Sequence, residues 1–174
     1  MKLYNELFGL KKILRRGWIL RNAYYSDGRC ESDAEHIFSM SMLAFEILEK
    51  EKLDLDRTKV YEMILCHEVG EIEAGDITIV DNVPKKVKYD KELACVQRIA
   101  NSYNMHNMLK LWREFEENTT PEAKFVKQID KLDSVMQAKI YAQHNSQPQL
   151  FEEFYNGHKD EIDPKYLKYI DDEI

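Results

Sequence analysis

The chain of 174 residues has the length of one domain, and its 44% hydrophobic and 33% charged residues are typical of a soluble globular protein rather than of a disordered segment. Its 32 acidic and 25 basic residues give a net charge of -7, which disfavours a nucleic acid polymer as partner. The three cysteines are too widely spaced for a disulfide framework, and no run of residues approaches membrane-spanning length. We therefore expect a single cytoplasmic domain over residues 1–174, without a membrane partner.

The predicted elements begin with an amphipathic helix that starts at Leu3 and ends near Arg15-Arg16-Gly17. Residues 1–22 contain six lysine or arginine residues and one acid, so this end of the chain is the candidate binding site for a small anion. Trp18 follows, and the turn formers Ser26-Asp27-Gly28 then predict a loop.

A second helix is predicted from Ser32 to about Lys50. Ser32 and Glu35 have the spacing of a capping box, in which each side chain bonds the backbone amide of the other residue. His36 comes next, and helical spacing puts it on one face with apolar residues: Met40, Leu43, Ala44 and Ile47. A histidine is therefore predicted to point toward the core.

A third helix is predicted from a cap at Asp54 to Asp56 as far as Gly75, which is a good terminator. It contains the stretch 66–76, in which one imidazole and four carboxylates occur within eleven residues. His67 continues the apolar face of the helix, and Glu71 lies one turn further on, with Glu68 at the edge of the same stripe. Buried carboxylates cost several kcal/mol each unless they are paired or bind a cation, so this stripe indicates a bound cation.

The second half of the chain is also predicted to be helical. Thr120-Pro121 has the pattern of a cap followed by a proline at the first helical position, and Asp130 falls beside the apolar line of the helix that it opens. Because no stretch alternates as a strand does, we predict an all-α helical bundle. The predicted helices of this half are 84–102, 108–117, 122–144, 149–155 and 164–171.

Three predicted helices thus each place a histidine or a carboxylate toward the interior. Two imidazoles and two carboxylates would make a mixed nitrogen and oxygen site. Such a site suits manganese, iron, cobalt, nickel or zinc better than calcium or magnesium, and the choice among them is open. The sequence therefore predicts one divalent metal ion between the helices.

Five short motifs then occur in order: Arg15-Arg16-Gly17-Trp18, Ala34-Glu35-His36, His67-Glu68-Val69-Gly70-Glu71, Gly75-Asp76 and Lys127-Gln128-Ile129-Asp130. On these motifs the chain resembles the HD-domain metal-dependent phosphohydrolases, and among them the 5′-deoxynucleotidases, which remove phosphate from deoxyribonucleoside monophosphates. The resemblance implies a helical HD-domain bundle, a nucleotide substrate and a homodimer. The metal ligands that it implies are His36, His67, Glu68 and Asp130.

The resemblance also implies roles for other residues. Glu71 and Asp76 correspond to acids near the attacking water and the leaving oxygen, with the division of roles between them left open. Arg15 or Arg16 is expected to bind phosphate oxygens through its guanidinium fork, and the proximity of Arg16 to Trp18 favours Arg16 slightly. Trp18 resembles a tryptophan near the sugar, where its bulk would disfavour a 2′-hydroxyl, although a role as a core anchor explains it equally well.

One departure from the family pattern leaves other readings open, because the family's His-Asp pair is His67-Glu68 here. Glutamate keeps the charge and the donor oxygens, but its arm is longer by one methylene. A non-catalytic binding module that has lost metal and turnover is therefore one alternative. Another is an HD-type phosphohydrolase for a triphosphate, a pyrophosphate or a non-nucleotide ester. A triphosphate, however, should require more basic residues than Arg15, Arg16 and Arg21 supply.

Overall fold

The computed structural model describes residues 2–171, and helices account for its regular structure. Two 3-10 helices, Phe8–Lys11 and Ile79–Asp81, supplement the α-helices. Within the described range the only β pairing is an isolated bridge between Leu14 and Ser32, so the predicted all-α fold is confirmed. The α-helices are α1 (Lys2–Leu7), α2 (Arg16–Ile19), α3 (Asp33–Glu51), α4 (Arg57–Cys66), α5 (Glu71–Ala74), α6 (Lys85–Tyr103), α7 (His106–Glu117), α8 (Pro121–His144), α9 (Pro148–His158) and α10 (Pro164–Asp171).

The long helix α8 forms the centre of the bundle. It packs against α3, α4 and α7, and the C-terminal helices α9 and α10 also contact it. Apolar side chains from these helices fill a continuous core, and burying each of them contributes about 1.5–3 kcal/mol before entropy is counted. The largest fully buried members include Met40, Ile47, Met63, Ile64, Trp112, Ile129 and Leu132.

Side-chain caps fix where α3, α4 and α8 begin. Ser32 and Glu35 form the predicted capping box at the start of α3. Asp56 accepts a hydrogen bond from the Lys59 amide at 3.1 Å, and Thr120 accepts one from the Ala123 amide at 3.3 Å. The starts of α3 and α8 were therefore readable from the sequence.

The predicted N-terminal helix is wrong in its length. The helix α1 ends at Leu7, and the chain then passes through a 3-10 turn into an extended segment that pairs with Ser32. The amide of Arg15 donates to the Glu31 carbonyl at 2.9 Å, which holds this segment against the start of α3. As a result, Arg15 precedes a new short helix instead of ending the first one.

The predicted helix to Gly75 is also interrupted. The helix α4 ends at Cys66, residues 67–70 form a turn, and α5 follows. Helix α6 passes so close to this turn that a Cβ on Gly70 would lie 2.5 Å from the Cβ of Glu92. Gly75, with φ of +73°, ends α5 as predicted. His67 and Glu68 therefore lie in a turn and Glu71 on a separate helix, rather than along one helical stripe.

Cys30, Cys66 and Cys95 are all free thiols. Among the helices of residues 2–171, none combines the length and the apolar character that a bilayer crossing requires.

Candidate metal centre

Four of the predicted site residues converge between α3, α8 and the turn after α4. The Nε2 atom of His36 lies 3.3 Å from Asp130 Oδ1 and 3.7 Å from Glu68 Oε1. The Nε2 atom of His67 lies 3.5 Å from the same Glu68 oxygen. The structure thus brings together His36, His67, Glu68 and Asp130, whose positions in the sequence span 95 residues, from 36 to 130.

Hydrogen bonds on the far side of each imidazole orient its ring. The Nδ1 atom of His36 lies 2.7 Å from Asp133 Oδ2, and the Nδ1 atom of His67 lies 2.7 Å from the Ile64 carbonyl oxygen. Because a carbonyl only accepts, the proton of a neutral His67 is on Nδ1, and the Asp133 carboxylate favours the same tautomer in His36. Both Nε2 atoms are then free to donate a lone pair toward the centre.

These donors fit a divalent metal ion. Both Nε2 atoms are buried without a hydrogen-bond partner, which is costly unless a ligand satisfies them. Nitrogen and oxygen ligands sit about 2.0–2.2 Å from an ion such as zinc. One ligand atom each from His36, His67 and Glu68 lies within 4.8 Å of the other two, which suits a shared ion, and Asp130 adjoins this group through His36. The carboxylate behind His36 matches the partner that metal-binding histidines commonly have.

Charges in this centre are strongly coupled. Burial and the charge of Arg15 lower the pKa of His36, but the nearby carboxylates of Asp130 and Asp133 outweigh them and raise it to about 10. Burial opposes the ionisation of Asp130, yet the nearby His36 imidazole lowers the pKa of Asp130 below its usual range. A divalent ion would therefore compete with a proton for the Nε2 atom of His36.

The two arginines of the first motif have different surroundings. The Nη1 atom of Arg15 lies 2.5 Å from Glu68 Oε1, inside the centre. The side chain of Arg16 is 51% exposed and pairs with Asp81 at 2.7 Å, whereas its backbone amide donates to Asp76 Oδ2 at 2.6 Å. The geometry therefore places Arg15 at the centre, in contrast to the slight preference for Arg16 from the sequence.

Glu71 and Asp76 flank the centre on the side of α5. Burial, together with the charges of Glu68 and Asp76, raises the pKa of Glu71 well above its usual value. Its Oε2 atom is buried and has no hydrogen-bond partner. The Nζ atom of Lys88 lies 3.7 Å from Glu71 Oε1 and 3.5 Å from Glu92 Oε1, so a lysine stands between two acids that the sequence analysis had not linked.

Two cavities open beside this centre and share Arg15 and Asp76. The first, about 330 Å³, is called here the charged cavity, and the second, about 470 Å³, the aromatic cavity. The charged cavity is lined by Arg15, His67, Glu68, Glu71, Asp76, Lys85, Lys88, Tyr89, Glu92, Phe115, Glu116, Lys127 and Asp130. The aromatic cavity is lined by Arg15, Gly17, Trp18, Arg21, Asp76, Ile77, Thr78, Val80, Ser134, Glu153, Phe154, Gly157 and His158.

Trp18 is both a core anchor and part of a cavity wall. Only 3% of it is exposed, and its indole N–H donates to Glu31 Oε1 at 2.7 Å. Its ring stacks on Phe154 with centroids 4.4 Å apart and meets Tyr141 edge-on. The anchor role and the position near a ligand cavity, which the sequence offered as alternatives, are therefore compatible.

Several residues of these cavities are not identifiable from the sequence. Lys85, Lys88 and Glu92 lie on α6, and Lys127 lies on α8 three residues before Asp130. The place of Asp133 near the centre is predictable from the sequence, because it lies one turn after Asp130 on the same helix. The place of the lysines is not predictable from the sequence, because only the packing of α6 and α8 around the turn after α4 brings them to the charged cavity.

Comparison with known proteins gives consistent results. The family model described as HD domain matches residues 9–170. The 5′-deoxynucleotidase HDDC2 of Homo sapiens is 31% identical over 85% of this chain and 71% of its own length, and that of Xenopus laevis is 33% identical over 90% and 75%.

Solved structures agree with the sequence comparisons. A conserved hypothetical protein from Pyrococcus furiosus superimposes with a TM-score of 0.76 at 25% identity, covering 97% of this chain and 95% of its own. A protein from Magnetospirillum magnetotacticum, described as a predicted metal-dependent phosphohydrolase, has a TM-score of 0.69 at 25% identity and covers 90% of this chain and 80% of its own.

Proposed function

Because the chain belongs to the HD-domain family, and relatives that match most of its length are named 5′-deoxynucleotidases, we propose that it is a divalent-metal-dependent phosphomonoesterase acting on deoxyribonucleoside 5′-monophosphates. The products are a deoxynucleoside and phosphate. The observation that carries the proposal is the pair of buried, unpartnered Nε2 atoms beside two carboxylates, at a cavity that also contains Arg15 and Asp76.

The metal would be held by His36, His67, Glu68 and Asp130. When bound, a divalent ion neutralises phosphate charge and lowers the pKa of bound water. Asp133 and the Ile64 carbonyl keep the two imidazoles in the tautomer that presents Nε2. The mixed nitrogen and oxygen donors favour manganese, iron, cobalt, nickel or zinc.

Arg15 is the proposed phosphate ligand. Its guanidinium is partly buried next to Glu68 and its backbone is held by Glu31, so the fork is already oriented toward the centre. Arg16 contributes differently, because its amide donates to the Asp76 carboxylate and thereby orients that acid. The pairing of Arg16 with Asp81 leaves its own guanidinium away from the centre.

The two acids divide the proton transfers by position. Glu71 lines the charged cavity but not the aromatic one, so we assign to it the orientation and deprotonation of the attacking water. Burial and the charges of Glu68 and Asp76 raise the pKa of Glu71, and a bound divalent ion would oppose the effect of these charges and favour the ionised base. Asp76 lines both cavities and therefore lies between the reacting phosphate and the nucleoside, where the 5′-oxygen departs. This position supports Asp76 as the group that delivers a proton to the leaving oxygen.

The nucleoside is assigned to the aromatic cavity. Trp18 and Phe154 give it an apolar wall suited to a sugar and base, and Arg21 lies 5.1 Å from the Phe154 ring centre. Trp18 is held rigidly by Glu31 and by its two aromatic neighbours. A rigid indole in the wall disfavours the extra bulk of a 2′-hydroxyl, which accounts for a deoxyribose preference.

The test is a phosphate-release panel. Purified protein is assayed on matched deoxyribo- and ribonucleoside 5′-monophosphates with manganese, cobalt, zinc or chelator. We expect metal-dependent release that is faster for the deoxy compounds. No release with any of the metals would refute the phosphatase, and equal rates on both sugars would refute the role of Trp18.

A non-catalytic binding module is the second candidate, and one contact favours it. The Glu68 oxygen that faces both Nε2 atoms is also the oxygen held by Arg15 at 2.5 Å, so the guanidinium competes with a cation there. Metal analysis of the purified protein distinguishes the two functions. Less than about a tenth of an equivalent, with no turnover under added metal, supports the module.

We also propose a homodimer in a cytoplasmic setting. Phe38, Met42 and Phe45 follow one outer face of α3, and between 53% and 67% of each residue is exposed. Apolar patches of this kind mark interaction surfaces, and the three free thiols suit a reducing compartment. Light scattering should give twice the chain mass of 20.7 kDa, and Phe38→Glu should return the single-chain mass.

A further inference from the structure

The charged cavity has a lysine-lined side that the proposed hydrolysis of a monophosphate does not use. Lys85 and Lys88 come from the first turn of α6, and Lys127 comes from α8. All three line the cavity that contains His67, Glu68 and Asp130. A monoester needs the metal and Arg15, so these ammonium groups are available for a further anionic group of a substrate.

The three lysines are not equally available to a ligand. Lys88 is committed to the protein, because its Nζ atom donates to the Ile77 carbonyl at 3.0 Å and lies between Glu71 and Glu92. Lys85 is exposed and forms no hydrogen bond or ion pair within residues 2–171. It also begins α6, whose N-terminus has no side-chain cap and so adds partial positive charge.

Lys127 can exchange its present partner for a phosphate. Its Nζ atom lies 3.1 Å from Glu116 Oε1 and 3.5 Å from the ring centre of Phe115. About a quarter of each side chain in the Lys127–Glu116 pair is exposed, and ion pairs that reach solvent contribute little to stability. A doubly charged phosphate group is a stronger partner for Lys127 than this carboxylate.

The arrangement of the two cavities gives the substrate a direction. The aromatic cavity lies on one side of Arg15 and Asp76, and the lysine-lined side belongs to the other cavity. With the nucleoside in the aromatic cavity and its α-phosphate at the metal centre, any further phosphate extends away from the nucleoside. It therefore extends toward Lys85 and Lys127. These two lysines supply positive charge in addition to that of the arginines near the N-terminus.

We propose that the site also takes deoxyribonucleoside 5′-diphosphates, with the β-phosphate on Lys85 and Lys127, and releases pyrophosphate. This inference rests on the proposed function, because it keeps the nucleoside and the α-phosphate where the monophosphate has them. Water adds to the α-phosphorus, and the bond between phosphorus and the 5′-oxygen breaks. The 5′-oxygen keeps the electron pair and takes a proton, so one water converts the diphosphate into a deoxynucleoside and pyrophosphate.

The experiment measures both substrates in parallel with the metal-loaded protein. A deoxyribonucleoside diphosphate and the matching monophosphate are incubated with manganese or cobalt, and deoxynucleoside, phosphate and pyrophosphate are quantified separately. We expect equal amounts of pyrophosphate and deoxynucleoside from the diphosphate. Release of phosphate and a monophosphate from it, or no turnover of it while the monophosphate is hydrolysed, would overturn the inference and leave the proposed function intact.

Variants test the assignment of the lysines. Lys85→Ala and Lys127→Ala should each lower the ratio of kcat/KM for the diphosphate to kcat/KM for the monophosphate by about tenfold. Lys86→Ala is the matched control, because Lys86 is exposed, pairs with Asp90 and does not line the cavity. A ratio that stays within a factor of two in both cavity variants would overturn the β-phosphate site. Turnover of neither substrate by the wild-type protein would overturn the inference together with the proposed function.

Discussion

The charged and aromatic cavities share a wall but differ in how well their polar groups are satisfied. In the aromatic cavity the Trp18 N–H bonds Glu31, and the Arg21 guanidinium bonds Glu153 and the Gly17 carbonyl. At the charged cavity the Nε2 atom of His67 and the Oε2 atom of Glu71 are buried without a hydrogen-bond partner.

This difference shows which cavity is incomplete without a ligand. Unpartnered buried groups are costly, so their concentration marks where a cation and a reacting group belong. The aromatic cavity, apart from the buried Nδ1 atom of His158, is satisfied by the protein alone. The aromatic cavity is therefore suited to binding the substrate equally well in the ground state and the transition state. The charged cavity is suited to the bond-breaking step.

Removing a metal ligand should have the largest effect, because it destroys the charged cavity's function and leaves the aromatic cavity intact. His67→Ala is expected to lower bound metal below about a tenth of an equivalent and to lower kcat/KM by at least about 10³-fold. His144→Ala is the control, since that histidine is exposed at the end of α8. Full metal content in His67→Ala, measured by mass spectrometry, would contradict the ligand assignment.

Glu71→Gln should separate chemistry from metal binding within the charged cavity. Because general bases contribute about 10²–10⁴-fold, we expect kcat to fall in that range while metal content is retained. Glu73→Gln is a matched control on the same helix, since Glu73 is exposed and pairs with Arg98. A change of less than about twofold in kcat for Glu71→Gln would remove the proposed base.

Arg15 stands on the shared wall, and comparing it with Arg16 tests the phosphate assignment. A charge-assisted hydrogen bond contributes about 1.5–3 kcal/mol, so Arg15→Ala should lower kcat/KM roughly 10- to 150-fold. Arg16→Ala should lower it less than about threefold, because its backbone amide still orients Asp76. Steady-state kinetics on one deoxyribonucleoside monophosphate distinguish the two, and the reverse order would restore Arg16 as the phosphate ligand.

Trp18→Phe probes the aromatic cavity, where the effect should fall on selectivity rather than on catalysis. The smaller ring leaves room for a 2′-hydroxyl, so the preference for deoxy over ribo substrate should fall by about tenfold while kcat on the deoxy substrate stays within threefold. The lost hydrogen bond to Glu31 should also lower the free energy of unfolding by about 1–3 kcal/mol. Unchanged selectivity would show that Trp18 is a core anchor only.

The parts of the two cavities that the sequence predicted are those set by local patterns. The Ser32 cap and the apolar face of α3 predicted that His36 points inward, and Thr120-Pro121 and the apolar line of α8 did the same for Asp130. These signals act within a few residues, so they can be read without the fold. The resemblance to the HD-domain family then indicated that these separate motifs form one site.

The parts that the sequence did not predict depend on contacts between distant segments. The turn after α4 lies against α6 at Gly70, where Glu92 leaves no room for a side chain. Arg15 reaches Glu68 across 53 residues because the Leu14–Ser32 bridge redirects the N-terminal segment. No periodicity in either segment records these contacts, so the sequence alone identifies neither the position of Arg15 nor the cavity lysines Lys85 and Lys127.

Asp33→Asn is expected to change stability and its pH dependence rather than turnover. Asp33 is fully buried at the start of α3, and neither of its carboxylate oxygens has a hydrogen-bond partner. Burial and then the charge of Glu68 raise its pKa to about 8. The folded protein therefore binds more protons than the unfolded chain between about pH 4 and pH 8, so the free energy of unfolding falls as pH rises through this window.

Asparagine cannot ionise, so the free energy of unfolding of Asp33→Asn does not fall in this way as the pH rises. Above pH 8, Asp33→Asn should unfold at a higher temperature than the wild type, with a gain on the order of 2–5 kcal/mol, and near pH 4 the two should converge because a protonated carboxyl resembles an amide. Thermal unfolding in chelator between pH 4 and pH 9 measures this, with the exposed Asp160→Asn as control. If the two melting curves stayed parallel across the whole range, Asp33 would have to be ionised in the folded protein, and the negative charge at the metal centre would be larger by one unit.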